Sequence, residues 1–258
     1  MSESGRLENR RILVVGAGTQ PSEDIDAPPG NGRAISVRAA AEGATVICAD
    51  RDPGAAEETV AWVEREAHKT ATAVTADVTD EDDCKEMIAA AAADRLDGLV
   101  MNVGIARGRD LGQTTARDWD LTMAANLRGH FLCAREALPL MPEGGSIVFI
   151  SSVAGLSPGS RIPAYDASKA GLIGLCRHTA LEGARRGVRA NVLAPGLIDT
   201  PLGRLASQGR PSRERTPVPL GRQGTPWEVA SAVTFLLSDE ASYITGVTLP
   251  LDGGLGLI

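Results

Sequence analysis

Short apolar runs punctuate the chain, and the stretches between them repeat their apolar residues at helical spacing. Arg11-Ile-Leu-Val-Val-Gly16 comes first and ends in glycine, the pattern of a strand buried on both faces of a parallel sheet. A helical stretch from Ala34 to Glu42 follows, closed by Gly43, and then the strand Ala44–Ala49. The alternation continues with a helix from Gly54 to about Lys69, a strand at Thr72–Ala76, a helix from Asp80 to Ala93 and a strand at Gly98–Asn102. A long helical pattern covers Thr115 to Leu138, the strand Ser146–Ile150 follows, and another helix opens near Tyr165. The strand Arg189–Leu193, a helix over Pro226–Leu237 and the strand Val247–Leu251 complete the series. Strands alternating with helices imply right-handed crossovers. The pattern predicts an α/β fold, a single Rossmann-like doubly wound parallel sheet of about seven strands with helices on both faces. With no linker, low-complexity tract or internal repeat in it, the chain reads as one domain over residues 1–258.

Composition narrows the partners. With 26 Lys plus Arg against 33 Asp plus Glu, the 258 residues carry a net charge of −7, which argues against a nucleic-acid or anionic-membrane surface. Cys48, Cys84, Cys133 and Cys176 form no CxxC pair and have no His at a ligand spacing, so free thiols in a reducing cytoplasm and no metal site are expected. No apolar run approaches the roughly 18 residues of a membrane span, and Met1 to Arg11 is polar rather than a signal peptide. The expectation is a soluble, cytoplasmic protein.

The chemistry collects after the strands, where open α/β sheets bind their ligands. After the first strand come Gly16-Ala17-Gly18-Thr19 and then Gly30-Asn31-Gly32-Arg33 at a helix start. Glycines there let the backbone turn tightly and approach a pyrophosphate held by the helix N-terminus. Gln20 to Pro29 interrupts that turn, an insertion over 20–29 that is expected to loop outward. Asp50 ends the second strand and suits a ribose, favouring NAD over NADP, whereas the adjacent Arg51 would suit a 2′-phosphate. Asn102-Val103-Gly104 closes the fourth strand and Ser152 follows the fifth. Tyr165 and Lys169 share one helix face at i, i+4, so the ammonium favours the phenolate of a group that otherwise titrates near pH ~10. Asn126, in the middle of a helix, reads on its own as a surface or packing residue. The Gly-, Pro-, Ser- and Arg-rich segment 200–219 is expected to be a mobile lid over the substrate.

Taken together and in order, these pieces resemble the short-chain dehydrogenase/reductase family over roughly Arg10 to Gly254. Ser152, Tyr165 and Lys169 have the family's spacing, and the resemblance adds Asn126 as a fourth catalytic member. It implies an adenine contact at Asp77-Val78, a cofactor wall at Asn102-Val103-Gly104, and a nicotinamide-side loop with Pro195, Gly196, Ile198 and Thr200. The tail, Pro219-Leu-Gly-Arg-Gln-Gly-Thr-Pro-Trp-Glu-Val and Asp252-Gly-Gly, is also similar to that family. Val15, Met101 and Val103 depart from the family's usual residues, and the 20–29 insertion departs most. Its acids Glu23, Asp24 and Asp26 are expected near the adenosine end, adding to the bias against NADP.

The resemblance implies reversible hydride transfer between a nicotinamide and a secondary alcohol or ketone, with Tyr165 as general acid and base and Ser152 binding the substrate oxygen. Lys169 would also grip the nicotinamide ribose, and Asn126 would hold a water leading to solvent. NAD(H) is favoured and NADP(H) stays open. An NADPH-dependent 3-oxoacyl thioester reductase is the alternative, and a non-catalytic dinucleotide-binding scaffold or sensor is a second. Arg107, Arg109, Arg161, Arg204, Arg210, Arg213 and Arg215 lie on segments expected to wall the pocket, which leaves open either an anionic substrate or a solvated surface. Family members usually pair through the helices holding Asn126 and Tyr165 and through the last strand, so the resemblance implies a homotetramer.

Overall fold

The computed structural model describes residues 5–22, 24, 26–207 and 218–257. Its strands are β1 Arg11–Val15, β2 Thr45–Asp50, β3 Ala71–Thr75, β4 Gly98–Met101, β5 Ser146–Ile150, β6 Arg189–Pro195 and β7 Thr248–Leu251. They form one seven-stranded sheet in the order β3-β2-β1-β4-β5-β6-β7, every neighbouring pair parallel. The chain runs outward from β1 to β3 and then crosses back to β4. The reversal between β1 and β4 is the switch point at which such sheets open a ligand crevice.

The apolar runs become strands because both faces of the sheet are covered. In β1, Leu13 and Val15 join a core with Met87, Leu132, Phe149 and Leu172, beneath α3 (Glu81–Ala91), α5 (Gly129–Ala137) and α6 (Pro163–Gly183). Ile12 and Val14 point the other way, into a core with Ile35, Val229, Val233 and Leu236 from α1 (Asn31–Ala41) and α8 (Pro226–Leu237). Side chains alternate across a strand, so one apolar run serves two cores. Helix starts follow local signals: Asp52 caps α2 (Pro53–Ala67), Asp80 caps α3, and Thr225 with Glu228 forms a capping box on α8 with proline in its first turn.

Three sequence expectations need adjustment. The pattern over 115–138 is not one regular helix. α4 (Ala116–Met123) passes through a π-helical turn, Ala124–Arg128, into α5, and that turn holds Asn126. β6 runs on to Pro195 because β7 pairs with its last residues, Ala194 with Pro250 and Pro195 with Leu251. β7 is an edge strand, which tolerates a proline without a backbone donor. The expected lid begins as a short helix, α7 (Pro201–Ser207), while Arg210, Arg213 and Arg215 lie outside the described residues.

Candidate active site

A cleft of about 1280 Å³ opens at the carboxyl ends of the strands. That exceeds a typical small-molecule pocket and has room for a dinucleotide beside a second ligand. Gly16, Thr19, Gly30, Asn31, Asp50 and Arg51 line one part of it, and Asp77, Val78, Asn102 and Gly104 continue the wall. Ser152, Tyr165, Lys169, Pro195, Gly196, Ile198 and Thr200 line the rest. Two candidates do not reach it. Gly32 packs beneath the turn, where a Cβ would stand 2.0 Å from the carbonyl oxygen of Gly16. Only glycine lets α1 approach β1 so closely. Asn126 is fully buried behind the wall.

The glycine turn survives its insertion. The Gly30 amide donates to Thr19 Oγ1 at 2.9 Å, so the two ends of the excursion are tied together. Gly16 takes a positive φ of 81°, and Gly18 donates from its backbone to Asp50 Oδ2 at 2.9 Å. A side chain at Gly18 would collide with Asp50 and Ala55. Gly30 precedes α1 with no side-chain cap, which leaves the amides of the first turn for an anion. Asn31 Oδ1 is buried there without a partner among the described residues, and an amide side chain can turn either its oxygen or its nitrogen toward a ligand. Closely packed glycines, an uncapped helix start and an orphaned amide fit the diphosphate of a dinucleotide.

Asp50 and Arg51 are not paired with each other. The second carboxylate oxygen of Asp50 accepts from the Asp52 amide at 3.1 Å, and Arg51 stays exposed on the cleft rim. The insertion adds contacts of its own. Gln20 and Pro21 line the cleft, and the exposed Asp24 meets Arg204 on α7. Arg204 Nη1 lies 2.5 Å from Asp24 Oδ2, while its Nε and Nη2 donate to Asp199 at 2.6 and 2.9 Å. Those bonds hold the Asp199 carboxyl below its usual range. The contact spans 180 positions of sequence and joins the insertion to α7. Glu23 lies outside the described residues, and Asp26 is exposed with its amide on Asp24.

Tyr165 sits in the first turn of α6, which Pro163 starts, and its ring faces the fully buried Lys169, whose Nζ is 5.7 Å from the ring centroid. Lys169 Nζ donates to the Ile150 carbonyl at 2.9 Å, at the end of β5. Burial lowers the Lys169 pKa to about 8. Ser152 caps the 3-10 turn Val153–Gly155 by accepting from the Ala154 amide at 3.2 Å, which leaves its own hydrogen to donate. Asn126 grips the Ile105 backbone with two bonds of 2.8 Å, one donated and one accepted, and donates to Ser168 Oγ at 3.1 Å. Both amide hydrogens are therefore spent on protein, and the Asn126 side chain is a clamp on the wall rather than a group facing the cleft. Its role could not be read from spacing, because the π-helical turn that aims it has no sequence signature.

Of the arginines expected around the pocket, Arg107 lines the cleft and Arg204 is neutralised by two carboxylates. Arg109 and Arg161 are exposed away from the lining. Among the described residues, no helix is long and apolar enough to cross a membrane.

Comparison with known proteins agrees with this geometry. A family model described as enoyl-(acyl carrier protein) reductase matches residues 28–256. A 3-oxoacyl-(acyl-carrier-protein) reductase of Thermotoga maritima is 37% identical over 254 residues, 97% of this chain and 99% of that protein. A (3R)-3-hydroxyacyl-CoA dehydrogenase of Rattus norvegicus is 37% identical over 267 residues, 99% of each chain. A crystal structure from Agrobacterium tumefaciens with bound NADP, described as that of a 2-deoxy-D-gluconate 3-dehydrogenase, superposes with a TM-score of 0.86 at 32% identity, covering 98% of each chain.

Proposed function

The chain belongs to the short-chain dehydrogenase/reductase family, and from that premise we propose that it interconverts a secondary alcohol and a ketone with NAD(H) preferred, Tyr165 carrying the proton. One observation carries the reading: the Tyr165 phenol, backed by the buried Lys169 cation, and the Ser152 hydroxyl share a single cleft with the glycine turn. A nicotinamide dinucleotide bound in that cleft supplies or accepts the hydride at the carbinol carbon. In oxidation the Tyr165 phenolate takes the hydroxyl proton; in reduction the phenol returns it to the oxygen. Ser152 donates a hydrogen bond to that oxygen and stabilises the charge growing on it. Lys169 stabilises the phenolate electrostatically, and Asn126 steadies the wall through Ile105. Nicotinamide absorbance followed over a panel of secondary alcohols and ketones tests the reading directly. Turnover of none of them, with the cofactor bound, would leave the scaffold reading in its place.

NAD preference rests on Asp50, whose carboxylate is fixed by the Gly18 and Asp52 amides at the end of β2. There it accepts ribose hydroxyls and repels a 2′-phosphate. Arg51 beside it, and the NADP held by the Agrobacterium tumefaciens relative, pull the other way. The expected result is NADH binding about tenfold tighter than NADPH, a difference of about 1.4 kcal/mol that Asp50→Ala removes. Equal or tighter NADPH binding by the wild type would mean that Arg51 governs the site. The reductase reading for 3-oxoacyl thioesters is favoured by the likeness to the Thermotoga maritima enzyme, and a thioester substrate in the panel distinguishes it.

We read residues 200–219 as the substrate lid and the 20–29 insertion as its catch, supported by the Asp24–Arg204–Asp199 contact. An exposed ion pair contributes at most about 1 kcal/mol, so Asp24→Asn should speed NADH release about threefold in stopped-flow displacement. Splicing Thr19 to Gly30 should do the same and leave the NADH to NADPH ratio unchanged. A large gain in NADPH affinity on splicing would restore the adenosine-side role for the acids. A homotetramer fits the exposed apolar residues Trp119, Leu121, Phe131 and Leu181 on α4, α5 and α6, and Leu249 on the edge strand. The four buried thiols suit a cytoplasmic location.

A further inference from the structure

His130, in the first turns of α5, is fully buried, and its ring lies 6.3 Å from that of Phe149. Its Nε2 is 3.1 Å from the Val103 carbonyl oxygen. A carbonyl only accepts, so Nε2 carries the hydrogen and Nδ1 is left as a buried acceptor with no partner among the described residues. An aliphatic residue would fill the same space without an orphaned polar atom. What the imidazole adds is the bond to Val103.

Val103 stands at a junction. A Cβ on Gly16 would come within 2.8 Å of the Val103 nitrogen, so this backbone presses against the glycine turn. On its other side, a Cβ on Gly104 would stand 3.3 Å from Lys169 Nζ. Asn102 Nδ2 donates to the Gly16 carbonyl at 2.8 Å, and Asn126 holds Ile105. The wall from Asn102 to Ile105 is thus pinned at both ends by asparagines and in the middle by the histidine. We infer that His130 is a positioning residue for the cofactor cleft, donating from Nε2 to the Val103 carbonyl and so holding the wall between the glycine turn and Lys169. Burial and the nearby Lys169 charge push its pKa down to about 3, so the ring stays neutral across the working range of pH.

The inference rests on dinucleotide binding in this cleft, and the test separates the two. NADH and NADPH are titrated into the full-length wild type and into His130→Leu, His130→Gln, His130→Asn and Cys133→Ala, with melting temperature and steady-state kinetics measured on each. Glutamine can carry a donor to the Nε2 position, whereas asparagine is too short and leucine has none. The Leu and Asn variants are expected to bind the preferred cofactor about tenfold more weakly and to raise its KM in step, with kcat within threefold of wild type. The Gln variant should stay within twofold of wild type in affinity. Cys133→Ala, which removes a buried thiol from the same helix, should lower the melting temperature without moving the affinity. Unchanged affinity in the Leu and Asn variants, or a Gln variant as weak as they are, would overturn the role of His130. Should the leucine variant fail to fold, the Gln and Asn pair decides by the same criterion. A wild type that binds neither cofactor would instead overturn the dinucleotide reading, and the inference with it.

Discussion

Replacing Tyr165 with phenylalanine is expected to lower turnover about 1000-fold while NADH affinity stays within a few-fold of wild type. Tyr165 lines the cleft and has a cation behind its ring, with Lys169 Nζ 5.7 Å from the ring centroid. Removing the phenol oxygen leaves the hydride path open and takes away the partner for the substrate's proton. The proton must then come from or go to water. Phenylalanine keeps the ring that packs over Lys169, so neither the first turn of α6 nor the Ile150 contact of Lys169 is disturbed. The Ser152 hydroxyl and the glycine turn are untouched, which is why binding should persist. Paired measurements of kcat and of NADH affinity check this. Near-normal turnover would remove Tyr165 from proton transfer, and lost binding would make its contribution structural.

The sheet was legible because parallel strands covered on both faces are written as unbroken apolar runs, and Arg11–Val15 shows why: its residues feed two separate cores. The location of the site was legible for the same reason. Asp50, Asn102 and Ser152 each follow a run, so fixing the strands fixed the end of the sheet at which they gather. Other features depend on contacts that no local pattern encodes. The ion pair of Asp24 in the insertion is with Arg204, 180 positions away, and a charge finds its partner through the fold rather than through the neighbouring sequence. Asn126 carries no mark of its π-helical turn, and mid-helix asparagine is usually a surface residue. Glycine near a phosphate turn has two uses, approach to the ligand and approach of helix to strand, and at Gly32 the close approach of α1 to β1 could not be told from sequence. His130 gave no signal beyond its presence, since one imidazole in an apolar segment is equally consistent with packing.

Replacing Lys169 with methionine is expected to move stability and activity in opposite directions. Burial lowers the Lys169 pKa from the usual 10.5 to about 8, which amounts to about 3 kcal/mol of opposition to folding at neutral pH. The sign follows from proton counting. Between pH 8 and 10.5 the unfolded chain holds a proton that the folded chain has released, so wild-type stability rises with pH through that window and the penalty is complete below it. Methionine fills the space without the charge but leaves the Ile150 carbonyl without its donor, a loss of about 1–3 kcal/mol. The variant should therefore melt at the same temperature as wild type or higher at pH 7, and its advantage should shrink as pH approaches 10. Turnover should nevertheless fall about 100-fold, because an ammonium 5.7 Å from the centre of the ring that carries the phenolate is worth close to 3 kcal/mol to it at an effective dielectric of about 20. Melting curves across that pH range, with kcat at each point, test both halves. A variant less stable than wild type at pH 7 that gains on it as pH rises would contradict the buried-cation account. Unchanged turnover would mean that the Tyr165 phenolate forms without the ammonium, and that the lysine is kept buried on α6 for some purpose other than proton transfer.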